Sequence, residues 1–396
     1  MGSKRVDDIF LNISHFLDHF MMLIFAKAAY DAGICFGLSY EEIIFFGTLG
    51  FICFGGFAPV ASYLADRYSR STLMVIFHFG IGGGAIAAGF SDSVISMTCS
   101  LTIMGVFAAI YHPVGIAMLL SKNEKTGLRL GINGVFGNMG VAAAPLIVGA
   151  ILIFGDWRMC FIIPGIFCLF YGAIFVLCLK DETDTFTQLR PKKSNNFAQN
   201  WQWALGSIAL STLSGGFIFG AMTFIVPRYF EISLSSISSS VAITGALASV
   251  VYGCASFAQI AIGKLIDSYS PKMILLYIAI GQIMFIFCAS LYSDWALFFT
   301  MTAAMLFVFG QIPINDAIIS RYVPDSRRGK ILSMKFMLNL SVGASVLPIC
   351  SFLLQNGYEI RMLFSVMSVI AFFILLAALI LPNQDDADRM DNLALQ

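Results

Sequence analysis

The stretch Asn12 to Asp31, NISHFLDHFMMLIFAKAAYD, is apolar over a membrane-spanning length and yet carries His15, Asp18, His19 and Lys27. About 20 mostly apolar residues are what one helical crossing of a bilayer requires. At about 100° per residue, His15, Asp18 and His19 share one face of that helix, and Met22, Ala26 and Tyr30 continue it. A charged side chain facing hydrocarbon costs at least ~2.5–3.5 kcal/mol, so this face is expected to turn toward protein or water.

The rest of the chain has the composition of a polytopic membrane protein. Its 396 residues are 58% hydrophobic and 12% charged, with 38 Phe, and the mean hydropathy is +0.85. An average soluble domain is roughly 25% charged, and so little polar surface cannot cover so large an apolar core. The formal net charge is zero, which gives no basic footprint for nucleic acid. No GxxxxGK[ST] loop is present, so nothing points to ATP as an energy source. The nine Cys stand singly, mostly in apolar runs and without a CxxC pair, and read as small hydrophobes. Lys4 and Arg5 precede an apolar run, but Asp18 interrupts it and no small-x-small cleavage site follows, so the segment reads as an uncleaved first span.

Apolar runs of similar length recur, separated by short polar loops. The expected spans are 9–31, 43–65, 72–90, 94–120, 128–153 and 158–180, then 204–229, 239–266, 272–291, 295–320, 330–355 and 360–381. Twelve helices in two six-helix halves are therefore expected, an all-α membrane protein with halves 1–180 and 204–381. Residues 181–203 form the linker, and the acidic tail 382–396 is expected to be disordered. With the N-terminus inside, inner segments hold eighteen of the 23 Lys and Arg and outer loops three, Arg158, Arg228 and Arg361. That asymmetry places both termini in the cytoplasm.

The halves repeat one another. Asp66 has a counterpart in Asp267, Pro113 in Pro313, Asn138 in Asn339, Pro145 in Pro348 and Arg158-Met159 in Arg361-Met362, at offsets of 200 to 203. Five such matches in order argue for two related bundles, an arrangement that places a solute site near the bilayer midplane.

The loop Ser62-Tyr63-Leu64-Ala65-Asp66-Arg67-Tyr68-Ser69-Arg70 resembles the G-x-L-A-D-R-x-G-R-K signature of the major facilitator superfamily, with serines at the two glycine positions and Ser71 at the last basic one. The resemblance implies the twelve-helix transporter fold and a cytoplasmic latch at Asp66, Arg67, Arg70 and Asp267. Gly140 to Gly149, GVAAAPLIVG, is similar to the family's antiporter motif, with Ala144 where Gly is usual. Physically, Gly137, Gly140 and Ala144 form a small-residue face that admits a neighbouring helix, and Pro145 bends its own. His15-Phe-Leu-Asp18 and Tyr111-His112-Pro113 resemble the fosmidomycin-resistance branch of the same superfamily.

All four His, at 15, 19, 78 and 112, fall within expected spans. Asp18 and Asp316 are the clearest intramembrane carboxylates, one in each half. With His15 and His19 they are the expected proton-coupling groups, because low-dielectric surroundings disfavour a carboxylate's charge. Standing ion pairs, such as Asp316 with Lys335, are the competing reading. His112, Lys27, Lys335, Asn133, Asn138, Gln311, Asn315 and Asn339 are the expected solute-binding groups, and Lys27 is expected to pair with Asp31 one turn on. Their balance leans cationic, which suits a small polar or anionic organic solute such as a carboxylate or a carboxylate siderophore. No HExxH spacing or His box is present, so neither a metal centre, a cofactor nor an enzyme is expected. The sequence predicts a monomeric, proton-coupled carrier in the bacterial inner membrane, working by alternating access, with the antiporter-like motif tilting it toward export. Multidrug efflux and import of a metabolite or siderophore are the alternatives.

Overall fold

Asp8–Phe36 forms α1, and its end is set by Gly37, whose φ of 68° is left-handed. That conformation lets the Leu38 N–H bond back to the Gly33 carbonyl at 2.9 Å, closing the last turn. The computed structural model describes residues 4–5, 7–120, 126–181 and 197–383. Among them twelve helices are long and apolar enough to cross a membrane. After α1 come α2 (Tyr40–Ala65), α3 (Arg70–Gly89), α4 (Val94–Leu119), α5 (Arg129–Phe154) and α6 (Trp157–Leu177). They are followed by α7 (Trp201–Ser233), α8 (Val241–Ile266), α9 (Pro271–Leu291), α10 (Asp294–Tyr322), α11 (Met334–Gln355) and α12 (Ile360–Ile380). The expected all-α, twelve-span architecture is what the chain adopts. Lys4–Arg5 and Lys180–Asp181 make a two-residue antiparallel pairing besides. Most of the expected linker, 182–196, and of the tail, 384–396, lies outside the described residues.

Two helices run past their expected ends, α1 to Phe36 and α7 to Ser233. Pro227 sits inside α7 without ending it. In a spanning helix, neighbouring side chains and local adjustment can satisfy the carbonyl a proline frees. Arg228 and Glu231, which the sequence places in a loop, are therefore helical.

Packing divides the chain into two compact units. The first holds the six spans before the linker together with Ala221–Gly253 and Gly343–Tyr358. Within it α1 packs chiefly on α5, α3 on α6 and α4, and α2 on α4. The second holds the residues leading to Gly220, then Cys254–Val342 and the chain from Glu359 on. Within it α9 packs on α12 and α10, the same pairs six helices later. Large apolar side chains such as Phe154, Leu177, Phe299 and Phe352 are exposed, as helices bathed in hydrocarbon require.

The repeat also carries matched irregularities. The α4 helix loosens to a π turn over Tyr111–Gly115, around Pro113. Its counterpart α10 breaks at Gln311, where one helical segment ends at Gly310 and the next begins at Ile312 with Pro313 in its first turn. A π turn rotates the helix face that follows it and recurs at functional positions. Here the two irregular turns present His112 and Gln311.

Small residues fix how closely α1 and α5 approach. A Cβ on Gly140 would lie 2.2 Å from the Phe16 carbonyl oxygen, and one on Gly137 2.6 Å from the His15 ring. Gly140→Ala is therefore expected to cost about 1–3 kcal/mol through overpacking. Gly83→Ala, where a Cβ meets nothing within 4 Å, should be neutral or stabilise by about 0.5–1 kcal/mol. Thermal unfolding of the two variants in detergent compares them; equal melting temperatures would show that this helix contact is not tight.

Candidate functional site

One polar cluster lies in the first unit, on α1, α4 and α5. Asn133 of α5 gives its side-chain amide N–H to the Tyr111 hydroxyl at 2.8 Å and to Asn12 Oδ1 at 2.9 Å. The Tyr111 hydroxyl gives its proton to the Leu11 carbonyl at 2.9 Å. The Asn133 carbonyl accepts from His15 Nδ1 at 2.8 Å, and the His15 ring stacks on Tyr111 with centroids 4.7 Å apart. A carbonyl can only accept, so His15 carries its proton on Nδ1 and turns the Nε2 lone pair toward its neighbour. That neighbour is His19, whose Nε2 lies 3.1 Å from His15 Nε2. The His112 ring stands edge-on to both, its centroid 5.3 Å from His15 and 5.4 Å from His19.

Asp18 closes this cluster. Its side chain is 0% exposed, and His112 Nε2 lies 3.5 Å from Oδ2. That separation is electrostatic contact, not a hydrogen bond, and among the described residues neither carboxylate oxygen has a hydrogen-bond partner. Buried polar groups are almost always satisfied, so an orphaned buried carboxylate calls for an explanation. Asn138, one residue beyond the glycine that abuts His15, is likewise buried with Nδ2 unpartnered. The structure thus brings together His15, Asp18, His19, His112 and Asn133, with Tyr111 and Asn12 as supports not singled out from sequence. His78 is engaged elsewhere: it donates from Nε2 to the Ser14 hydroxyl at 2.9 Å, which itself donates to the Phe10 carbonyl.

The second unit holds a chain of amides and hydroxyls. Gln282 donates to Gln311 Oε1 at 2.8 Å, Gln311 to the Ser211 hydroxyl at 2.8 Å, and Ser211 to Asn315 Oδ1 at 3.1 Å. Asn315 reaches Thr212 at 3.4 Å. Asn339 is half-buried with its carbonyl oxygen against Gly216, where a Cβ would lie 2.5 Å away. Asp316 and Lys335 form an ion pair. The competing reading of Asp316 as a standing pair is the one its side chain adopts, and its carboxylate is 45% exposed against 0% for Asp18.

Lys27 does not pair with Asp31. It is buried and bonds Glu231 of α7, which also accepts from Arg228 at 2.8 Å. The Arg228 guanidinium lies 3.4 Å over the Tyr30 ring. All four residues belong to the first unit. Both lysines counted toward a cationic lining are therefore engaged by carboxylates, Lys27 by Glu231 and Lys335 by Asp316. Asp66 and Arg67 are exposed, Arg67 lying 3.8 Å over Tyr63, and the side chain of Asp267 is outside the described residues.

Although no metal centre is expected from sequence, His15, His19 and His112 each offer a ring nitrogen within 4.8 Å of the others. The histidine count alone could not reveal this, because it depends on the π turn that aims His112 at α1.

The Major Facilitator Superfamily profile matches residues 9–253 and 205–393. The chain is 22% identical over 331 residues to the multidrug resistance protein MdtG of Proteus mirabilis (strain HI4320), covering 80% of this chain and 79% of that protein. It is 31% identical over 96 residues to the MFS-type transporter YfnC of Bacillus subtilis (strain 168), 24% of each chain. It is 28% identical over 112 residues to the puromycin resistance protein pur8 of Streptomyces alboniger, 28% of this chain and 22% of that one. The chain thus aligns with under a quarter of the length of those last two relatives. Among solved structures, a bacterial homologue of the human lysosomal transporter Spinster superposes with a TM-score of 0.75 at 14% identity, covering 94% and 95% of the two chains. A D-xylose–proton symporter gives 0.73 at 14%, covering 94% and 96%. At such identities these two likenesses establish the fold.

Removing Glu231 strands the buried Lys27 charge, at a cost of about 3–5 kcal/mol, whereas removing Lys27 leaves Glu231 its contact with Arg228. Lys27→Met and Glu231→Gln are each expected to lower stability in detergent, and the double variant by less than the sum of the two. A double-mutant cycle that gives no coupling would mean the pair does not hold α1 to α7.

Proposed function

The chain belongs to the major facilitator superfamily and is a multi-pass membrane transporter, not an enzyme, and from that premise we propose that it is a proton-coupled secondary carrier of a small polar organic solute. One observation carries the reading: the Asp18 carboxylate is fully buried without a hydrogen-bond partner, 3.5 Å from His112, whose ring clusters with those of His15 and His19. An isolated ionised carboxylate is too poorly solvated in such a place to persist, so it must take up a proton or a cation in some state of the cycle. Binding and release of that proton bias alternating access, provided its affinity differs between the two open states. Asp316 has the weaker claim, being engaged by Lys335.

The solute class follows from what the side chains offer. With Lys27 and Lys335 held in ion pairs, the candidate binding groups that remain are amides and an imidazole: Asn138 and His112 in the first unit, Gln311, Asn315 and Asn339 in the second. That set favours a hydrogen-bonding solute, with carboxylate-bearing compounds as the anionic members of the class. The positive-inside count supports cytoplasmic termini in a bacterial inner membrane. Similarity to proteins named for multidrug and puromycin resistance supports export, which makes proton-driven drug efflux the second reading.

A thermal-shift screen with citrate and puromycin, at about pH 6 and about pH 8 to bracket histidine, separates the two solute classes. Once a stabilising solute is found, Asp18→Asn in proteoliposomes should lower gradient-driven accumulation at least tenfold while counterflow exchange persists. Gradient-driven transport that survives the substitution undiminished removes Asp18 from the coupling mechanism.

A further inference from the structure

Three imidazoles converge from two helices at close to the spacing of a metal site, and a carboxylate lies 3.5 Å from one of them. His15 and His19 stand one turn apart on α1, and His112 is delivered by the π turn of α4. In a tetrahedral site with metal–nitrogen bonds of about 2.0–2.1 Å, neighbouring nitrogens lie roughly 3.3 Å apart. His15 Nε2 and His19 Nε2 already stand at 3.1 Å, and all three ligand nitrogens lie within 4.8 Å of one another. Closing the site takes a movement of at most about 1.5 Å by partly exposed rings, well within the swing of a His side chain.

The surroundings are those a metal-binding imidazole needs. A ligating His typically donates its other ring N–H to a carbonyl, which fixes the ring and frees the coordinating nitrogen. His15 does this through Nδ1 to the Asn133 carbonyl at 2.8 Å, and Asn133 is itself held by Tyr111 and Asn12. The second observation is Asp18, which is fully buried beside His112 with neither oxygen hydrogen-bonded. Its Oδ2 lies 3.5 Å from His112 Nε2, which places an anionic group next to one of the three imidazoles. Gly137 supplies the room, since a Cβ there would intrude to 2.6 Å from the His15 ring. His19 and His112 remain partly exposed, which leaves an ion a way in.

We propose that His15, His19 and His112, with Asp18, form a binding site for one divalent transition-metal ion of the kind imidazole prefers: Zn2+, Co2+ or Ni2+. Nitrogen-rich ligation disfavours Mg2+ and Ca2+, which take oxygen. The site shares side chains with the proposed proton site but does not depend on coupled transport, because a chain that binds no metal can still couple and metal binding requires no flux.

The test is titration of the tag-free, full-length protein in detergent with CoCl2, followed by displacement with ZnCl2. One Co2+ per chain is expected, with the intense visible bands of tetrahedral coordination, bleached by Zn2+. His19→Gln and His112→Gln should each weaken binding at least tenfold while eluting as monodisperse protein, and His19→Ala and His112→Ala replace any variant that does not fold. The absence of Co2+ bands in the wild-type chain, or binding unchanged in the variants with the nine cysteines carrying the metal, overturns the proposal. Either result leaves the Asp18→Asn flux experiment to decide proton coupling by itself.

Discussion

A carboxylate inside a membrane protein can persist in three ways: ionised beside a cation, ionised among hydrogen-bond donors, or neutralised by what it binds. The carboxylates of Glu231 and Asp316 take the first course, with Lys27 and Arg228 in one case and Lys335 in the other. Asp18 has neither a donor among the described residues nor an always-charged neighbour in the recorded ion pairs; its one charge-capable contact is His112 at 3.5 Å. The penalty for burying an ion is several kcal/mol even after relaxation. The third course is left, which is why the proposed coupling is assigned to Asp18 and not to Glu231 or Asp316. These carboxylates share a location inside spans but differ in their partners, and the proposal rests on that difference.

Packing and chemistry use the same residues here. The glycines of α5 let α1 approach until the Phe16 carbonyl and the His15 ring touch its backbone, and that approach brings the Asn133 carbonyl within reach of His15. On its other side α5 meets α8, where a Cβ on Gly245 would lie 2.3 Å from the Pro145 carbonyl oxygen. The small-residue stretch that resembles an antiporter motif therefore has a full structural account as a helix-packing face. Its residues hold the polar cluster in place by standing close, and a bulkier α5 would pull His15 and Asn133 apart.

Much of this was legible in the sequence because it is local or periodic. Span length, the 6+6 repeat and the shared face of His15, Asp18 and His19 follow from helical geometry within one segment. The partner of a face is another matter. Lys27 meets Glu231, 204 residues away, and no spacing rule links them; the nearer acid, Asp31 at i+4, was the only partner a single helix could suggest. Glu231 itself lay two residues beyond the expected end of its span at 229, whereas α7 runs on to Ser233. The charge count has the same blind spot: counting lysines cannot tell a free ammonium from a paired one. His112 was identified as polar and near a proline, but the π turn that directs it at α1 is a property of the folded helix.

The central claim is that Asp18 gains and loses a proton. Infrared difference spectroscopy of the reconstituted protein, recorded across a pH step, reads this directly through the carbonyl stretch of a protonated carboxylic acid. The account predicts a carboxylic-acid band that appears as the pH falls, shifts on isotopic labelling of aspartate, and is missing in Asp18→Asn. Spectra without such a band, or with one that the substitution leaves intact, would contradict it.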